Sequence, residues 1–546
     1  MRRVTSRLMA FAGLALCGLV MLLLPAAPAS AHAVLLRATP APDSVLAAGP
    51  SQVVLEFSEP VRLIPGKIRI VGPDGKRADD GEPSASGGVV TVPVRPGGPR
   101  GTYLVSYRVI SADSHPVVGG FAYSVGAPSA TAVDGGVSDD VDPFVRAAIP
   151  VAKYLGYAGL VLVVGPALVL AMLWPSRLSR RGPARVLWTG MGLVAVSTVA
   201  GLLLQAPYTT GTALTDLTGA DLRQVFASQF GTAHLVRLVV LAGSALLLVP
   251  LVRGASGVVE RTLLVVFGVV AAGTWPLSGH PAGSPVPAVS VAIDVVHLAS
   301  MAVWLGGLVM LIAFLLRRAD EEELGAILPV WSRWAALAVA ALLLAGLTQA
   351  LIEVGTPTAL VSTSYGQLIL TKVGLFAAVV AVAAFSRRLV RQRVAAGRPG
   401  RLRRLIGAEL GITAVVLALT TVLVQTTPAR TAEANETVGD LPFSSTAASS
   451  LYSLQVEVDP AKVGRNDVHL YAYTPDGKPL PVVEWQASAA LPAAGVEPID
   501  LPLLKLTDNH ATGQISLPTA GDWRLRFTLR ISEIDQATVN VTVPIT

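Results

Sequence analysis

Eight separate apolar stretches, each about long enough to cross a hydrocarbon layer of ~30 Å, occupy the middle of the chain and predict a bundle of membrane-spanning helices. They fall at roughly 147–173, 185–205, 233–252, 260–277, 288–315, 330–352, 366–386 and 405–425. Composition agrees, with 52% hydrophobic against 14% charged residues. Arg177, Arg180, Arg181 and Arg185 lie between the first two spans, Arg253 and Arg261 flank the next such loop, and Arg317 and Arg318 begin the third. Arg387, Arg388, Arg391, Arg393, Arg398, Arg401, Arg403 and Arg404 lie between spans seven and eight, and the alternate loops nearly lack Arg and Lys. The positive-inside rule makes the arginine-bearing loops cytoplasmic, and an even span count leaves both flanking domains extracytoplasmic in a multi-pass plasma-membrane protein. The net charge of +6 is thus explained by topology and is no sign of nucleic-acid binding.

The beginning of the chain fits that orientation. Arg2, Arg3 and Arg7 precede an apolar run and a small-residue ending at Ala29-Ser30-Ala31, the pattern of a signal peptide over 1–31. Cleavage after Ala31 makes His32 the first residue; retention as an uncleaved anchor is the alternative. The only cysteine, Cys17, lies in this segment, so disulfides and thiolate metal sites are excluded from the processed protein.

Residues 32–126 switch to short alternating segments at 53–57, 67–71, 89–94 and 102–110, predicting an all-β sandwich or barrel. Tyr103, Val105, Tyr107 and Val109 share its packed face, and Pro73-Asp74-Gly75-Lys76 reads as a turn. A flexible acidic linker at 127–143 leads to the membrane domain at 144–427. A second linker at 428–449 leads to an all-β sandwich at 450–546, with alternation at 451–458, 468–473, 523–529 and 538–543 and a turn at Pro475-Asp476-Gly477-Lys478. Its His469 and His510 stand far apart in sequence without a ligand cluster, and read as ordinary surface or core histidines.

The chemistry concentrates at His32, Asp113 and His115. A terminal histidine offers an amine and an imidazole to one ion, and Asp113 and His115, two apart in Ser111-Ala112-Asp113-Ser114-His115-Pro116, converge if that stretch is extended. Three nitrogens and one oxygen suit tetragonal Cu(II), although Zn(II) accepts the same donors. The plain alternative for Asp-x-His-Pro is a turn with a hydrogen-bonded carboxylate. In span five Asp294, His297, Met301 and Trp304 share a helical face; with His280 at the outer end of span four they form either a copper path or a set of interhelical hydrogen bonds. Glu353 and Lys372 lie near and within the following spans, and His234 reads as interfacial.

The segments His32-Ala33-Val34-Leu35, Pro40-Ala41-Pro42-Asp43-Ser44, Leu55-Glu56-Phe57-Ser58-Glu59-Pro60-Val61 and Asp113-Ser114-His115-Pro116-Val117-Val118-Gly119 resemble CopC, a periplasmic copper-binding β-barrel. That resemblance implies Cu(II) held by His32, Asp113 and His115. Residues 32–126 contain no methionine, unlike CopC proteins with a separate Cu(I) site. Ser278-Gly279-His280, His297, Trp304-Leu305-Gly306-Gly307 and Thr371-Lys372 make the membrane block similar to CopD. The fused order resembles copper transport proteins of the YcnJ type, and the last domain loosely resembles the YtkA family.

The expected function is therefore copper acquisition, with Cu(II) captured outside and passed to copper sites in the membrane domain, by a protein that is not an enzyme. Copper ions, the lipid bilayer and an extracytoplasmic copper chaperone or cuproprotein are the expected partners. No nucleotide-binding P-loop is evident. Rival readings are a copper-dependent redox enzyme, a haem-binding electron carrier using His280 and His297, and a copper buffer or sensor without transport.

Overall fold

Apolar runs in hydrocarbon must satisfy their own backbone groups, and each expected span is a helix in the computed structural model, which describes residues 33–42, 44–127, 129, 141–391, 399–432, 443–475 and 478–545. The signal segment and His32 lie outside the described residues, as do most of the first linker, Arg393, Arg398, and Asp476 and Gly477 of the second expected turn. Eight helices among the described residues are long and apolar enough to cross a membrane. They are α1 (Pro143–Met172), α2 (Arg181–Thr210), α3 (Gln229–Val252), α4 (Val258–Gly273), α5 (Pro287–Met310), α6 (Glu321–Val354), α7 (Ser364–Arg391) and α8 (Pro399–Leu423). Several outrun their apolar windows because polar caps extend them. Asp142 accepts from the Phe144 and Val145 amides at the start of α1, and Asp320 forms a capping box with Glu323 at the start of α6. Helix α5 continues through a π-helical turn, Leu311–Leu315, to Arg318.

The helices, together with the loop Ser111–Pro116, form one compact unit. Its core gathers Leu187, Leu248, Trp304, Met310 and Trp331. Glycines bring α5 against its neighbours: a Cβ on Gly165 of α1 would lie 2.4 Å from Gly306 Cα, and one on Gly307 would lie 1.8 Å from the Trp331 ring. The Trp304-Leu305-Gly306-Gly307 motif is thus a packing device, in which small residues allow close helix approach. Three of the arginine-bearing loops, α1–α2, α3–α4 and α5–α6, are tied to one another at one end of the bundle. Arg177 Nη2 lies 2.6 Å from Glu323 Oε2 and 2.9 Å from Asp320 Oδ2, while Arg180 donates to the Leu251 carbonyl at 2.9 Å.

The other unit holds two β-sandwiches, each described by itself. In the first, sheets of order β1-β3-β6-β5 and β2-β8-β7-β4 are built from β1 (Leu35–Thr39), β2 (Val45–Leu46), β3 (Gln52–Phe57), β4 (Arg62–Val71), β5 (Ser84–Ser86), β6 (Val89–Pro93), β7 (Gly101–Ile110) and β8 (Pro116–Val125). Tyr103, Val105, Tyr107 and Val109 are buried, as the alternation of β7 predicts. The turn at Pro73-Asp74-Gly75-Lys76 is present, closed by the Gly72 amide on the Lys76 carbonyl at 2.8 Å, with Gly75 at φ +73°.

The second sandwich is built from β9 (Phe443–Ala448), β10 (Ser453–Asp459), β11 (Gly464–Tyr473), β12 (Glu484–Leu491), β13 (Val496–Asp500), β14 (Leu503–Thr507), β15 (His510–Leu517), β16 (Gly521–Arg530) and β17 (Gln536–Ile545), in sheets of order β14-β15-β11-β10-β9 and β13-β12-β16-β17. Strand β9 lies within the stretch expected to be linker. The core is closed by Trp523, Phe527, Leu525 and Val541.

Gly307→Leu is expected to lower the melting temperature of the detergent-solubilised protein, with overpacking costing about 1–3 kcal/mol or more. Gly268→Leu, where a Cβ meets nothing within 4 Å, serves as control. Equal melting of both variants would refute tight packing at the α5–α6 crossing.

Candidate metal centre and membrane cavity

The loop after β7 is where the first site residues meet. Its backbone is a turn rather than an extended segment: the Ser111 amide donates to the His115 carbonyl at 2.9 Å, the Ser114 amide to the Ser111 carbonyl at 3.0 Å, and Ser114 takes φ +72°. The turn carries the hydrogen-bonded carboxylate of the plain reading, and it also brings Asp113 and His115 together. Asp113 Oδ1 accepts from the Ser111 hydroxyl and from the His115 amide, the latter at 3.2 Å. Gln205 of α2 holds the loop through the Ser114 carbonyl at 2.7 Å.

His280 joins them. It sits in the short loop between α4 and α5, which is pinned by Ser278 on the Thr274 carbonyl at 3.1 Å and by Gln229 on the Leu277 carbonyl at 3.1 Å. His280 Nδ1 lies 2.9 Å from Asp113 Oδ2, and His115 Nδ1 lies 3.2 Å from Asp113 Oδ1. The two imidazoles stack at 4.9 Å between centroids and 15° between planes. All three residues are buried, and one donor atom from each lies within 4.8 Å of the others. A buried carboxylate between two imidazoles needs a proton or a cation to offset its charge, and this donor set offers nitrogen and oxygen to a metal ion. The expected third member of the set, His32, lies outside the described residues.

These side chains line one part of a cavity of about 440 Å³ within the helical unit, and Asp294, His297 and Met301 of α5 line another. Asp294 accepts from Gln349 Nε2 at 2.8 Å. The His297 ring lies against Gly346 of α6, where a Cβ would be 3.1 Å from Cε1, and its buried Nδ1 has no hydrogen-bond partner among the described residues. Asp294 thus makes the interhelical hydrogen bond that one of the two expectations for this face called for. Glu353 also lines the cavity, 3.3 Å from Arg430 Nε, as does Lys372.

Lys153 and Arg237, which the sequence reading did not single out, line the same cavity. Arg237 is buried in α3, bonded to Thr274 through Nε at 2.8 Å and stacked 3.7 Å over Trp275. Cations at positions 153 and 237, inside otherwise apolar spans, were the available signal. His234, near the start of α3, is buried and bonded to the Phe230 carbonyl at 2.8 Å.

A β-sandwich joined to eight apolar helices, with a buried Asp-His-His cluster lining a cavity, defines a multi-pass membrane protein with a donor set that could hold a metal ion. Three family models give the metal: the CopC domain over residues 35–126, the Copper resistance protein D-like N-terminal domain over 141–285, and Copper resistance protein D over 325–423. The chain belongs to the copper transport and resistance proteins, with CopC and CopD domains joined in one polypeptide. It is 26% identical over 469 residues to the Copper transport protein CutJ of Bacillus subtilis (strain 168), covering 82% of this chain and 83% of that one. It is 34% identical over 107 residues to Copper resistance protein C of Escherichia coli, covering 18% of this chain and 83% of that one. A crystal structure of CopC from Methylosinus trichosporium OB3b matches at 29% identity, covering 18% of this chain and 99% of that one, with a TM-score of 0.16.

A ligand set shared between Asp113, His115 and His280 predicts that His280→Ala weakens Cu(II) binding by the intact chain about 10–100-fold, comparably to His115→Ala. Affinity should fall on acidification, because the imidazoles must be neutral to ligate. Calorimetric titration that finds wild-type affinity in His280→Ala would limit the set to the CopC-like domain.

Proposed function

We propose that this chain imports copper. Cu(II) is captured outside the membrane by Asp113 and His115, with the amine and imidazole of a processed His32, and is passed through His280 into the cavity toward His297 and Met301. The observation that carries this reading is the continuity of one cavity lined by Asp113, His115 and His280 and also by Asp294, His297 and Met301.

The donors are ordered in a chemically sensible way. The first group combines imidazoles with a carboxylate, which favours divalent copper; the α5 face adds a thioether, a softer donor suited to Cu(I). The placement of the arginine-bearing loops supports an extracytoplasmic entry. Those loops lie at one end of the bundle, while the α4–α5 loop carrying His280 belongs to the other by alternation of the helices. The flanking sandwiches then lie outside as well, where an extracytoplasmic copper chaperone or cuproprotein can reach the first site.

Copper uptake into proteoliposomes tests the proposal. The intact protein should accumulate copper, and His297→Ala and Met301→Ala should each lower the rate about tenfold or more while leaving capture by the outer site unchanged. Loss of a residue that only supports a metal ligand costs about 10–100-fold in affinity or activity, which sets a lower scale for loss of a ligand itself. Absence of uptake under both oxidising and reducing conditions would make the chain a copper buffer or sensor.

A further inference from the structure

We propose that the second β-sandwich carries its own copper site, built on His469 and His510. The residues are 41 apart in the chain, but antiparallel pairing of β11 with β15 makes them neighbours, with Tyr471 opposite His510 and His469 opposite Thr512. Alternation along β11 sends Val468, Leu470 and Ala472 into the core and places His469 and Tyr471 on the other face.

The geometry is that of two ligands, as well as of a hydrogen-bonded pair. His469 Nδ1 and His510 Nε2 are 3.2 Å apart. Two nitrogens bound to one first-row ion at about 2.0–2.1 Å lie about 2.9 Å apart at a right angle and about 3.4 Å apart at the tetrahedral angle. The observed separation falls between these values, so an ion can replace the proton between the rings once the imidazoles turn their lone pairs from the N–N line toward it. That proton moves to the far nitrogen of its own imidazole.

The surroundings favour this exchange. Tyr471 stacks on His510 at 4.2 Å and 18°, which fixes the plane of the ring. Glu457 stands opposite His469 on β10, and Gln455 Nε2 holds its carboxylate at 2.9 Å. This carboxylate supplies negative charge on the strand beside His469. Two imidazoles and a carboxylate bind Cu(II) ahead of the other first-row divalent ions by the Irving-Williams order. Both histidines are only half-buried, so the ion remains exchangeable.

The site is tested by Cu(II) binding to the full-length protein in detergent, independently of transport. Equilibrium dialysis should find one equivalent fewer in His469→Gln/His510→Gln than in wild type, in both the native and an Asp113→Asn/His115→Ala background. Paramagnetic resonance should lose one two-nitrogen signal in step. His510→Gln alone, which retains a hydrogen-bonding side chain, should weaken this equivalent at least tenfold with the melting temperature of the copper-free protein unchanged. Unchanged stoichiometry in the double variant overturns the site, and so does displacement of the ion by equimolar Zn(II). Loss of uptake with this equivalent intact would count against the import reading alone.

Discussion

Asp113 is the interaction on which the membrane-side chemistry depends. Its carboxylate is almost fully removed from solvent, at 2% exposure, where a bare negative charge is costly. One oxygen closes the Ser111–Pro116 turn by accepting from Ser111 and the His115 amide, and the other faces His280. The same group therefore shapes the loop and connects it to the α4–α5 segment. A cation between carboxylate and imidazoles relieves the burial cost more directly than further hydrogen bonds within the turn, because those hydrogen bonds already engage Oδ1. Lys153 supplies part of the compensating charge, and the carboxylate with its two imidazoles is a donor set that could hold a metal ion.

The helical part of the fold was legible because hydrocarbon imposes a strong pattern on sequence. All eight apolar windows correspond to helices, and their arginine-bearing loops are drawn together through contacts such as Arg177 with Glu323. The ends were less legible, since capping residues such as Asp142 and Asp320 extend a helix beyond its apolar window. In the sandwiches, strands with clean alternation such as β7 stood out, whereas short or exposed strands did not. β5 has three exposed residues, and β9 begins in a polar stretch that alternation does not distinguish from linker. These strands are specified by pairing partners more than by their own pattern.

The candidate site was legible as two fragments. Asp113 and His115 were close in sequence, and Asp294, His297 and Met301 followed helical spacing, so each group had a local signal. The joining of His280 to the first group did not, because 167 residues separate it from Asp113 and only tertiary packing brings Nδ1 to 2.9 Å. The same limitation hid the His469–His510 pair, which is created by strand register. The buried cations were visible as residues but not as cavity groups: nothing local to Lys153 or Arg237 tells whether it reaches an interface or faces the bundle interior.

Those cations constrain how copper can cross. Three carboxylates, Asp113, Asp294 and Glu353, and three basic side chains, Lys153, Arg237 and Lys372, line the cavity, so their formal charges cancel. Imidazole and thioether donors add none. An entering copper ion therefore brings uncompensated positive charge into a region where low polarity strengthens Coulomb repulsion. Free diffusion of the ion past Lys153 and Arg237 is disfavoured, whereas residence beside Asp113 or Asp294 offsets the added charge. Arg237 is fixed in place by Thr274 and Trp275, so its field cannot be removed by rotating the side chain outward. Under the import reading, copper must move between ligand groups that each pair neutral donors with a nearby carboxylate, and the basic residues lining the same cavity disfavour cations that the imidazoles and thioether do not hold.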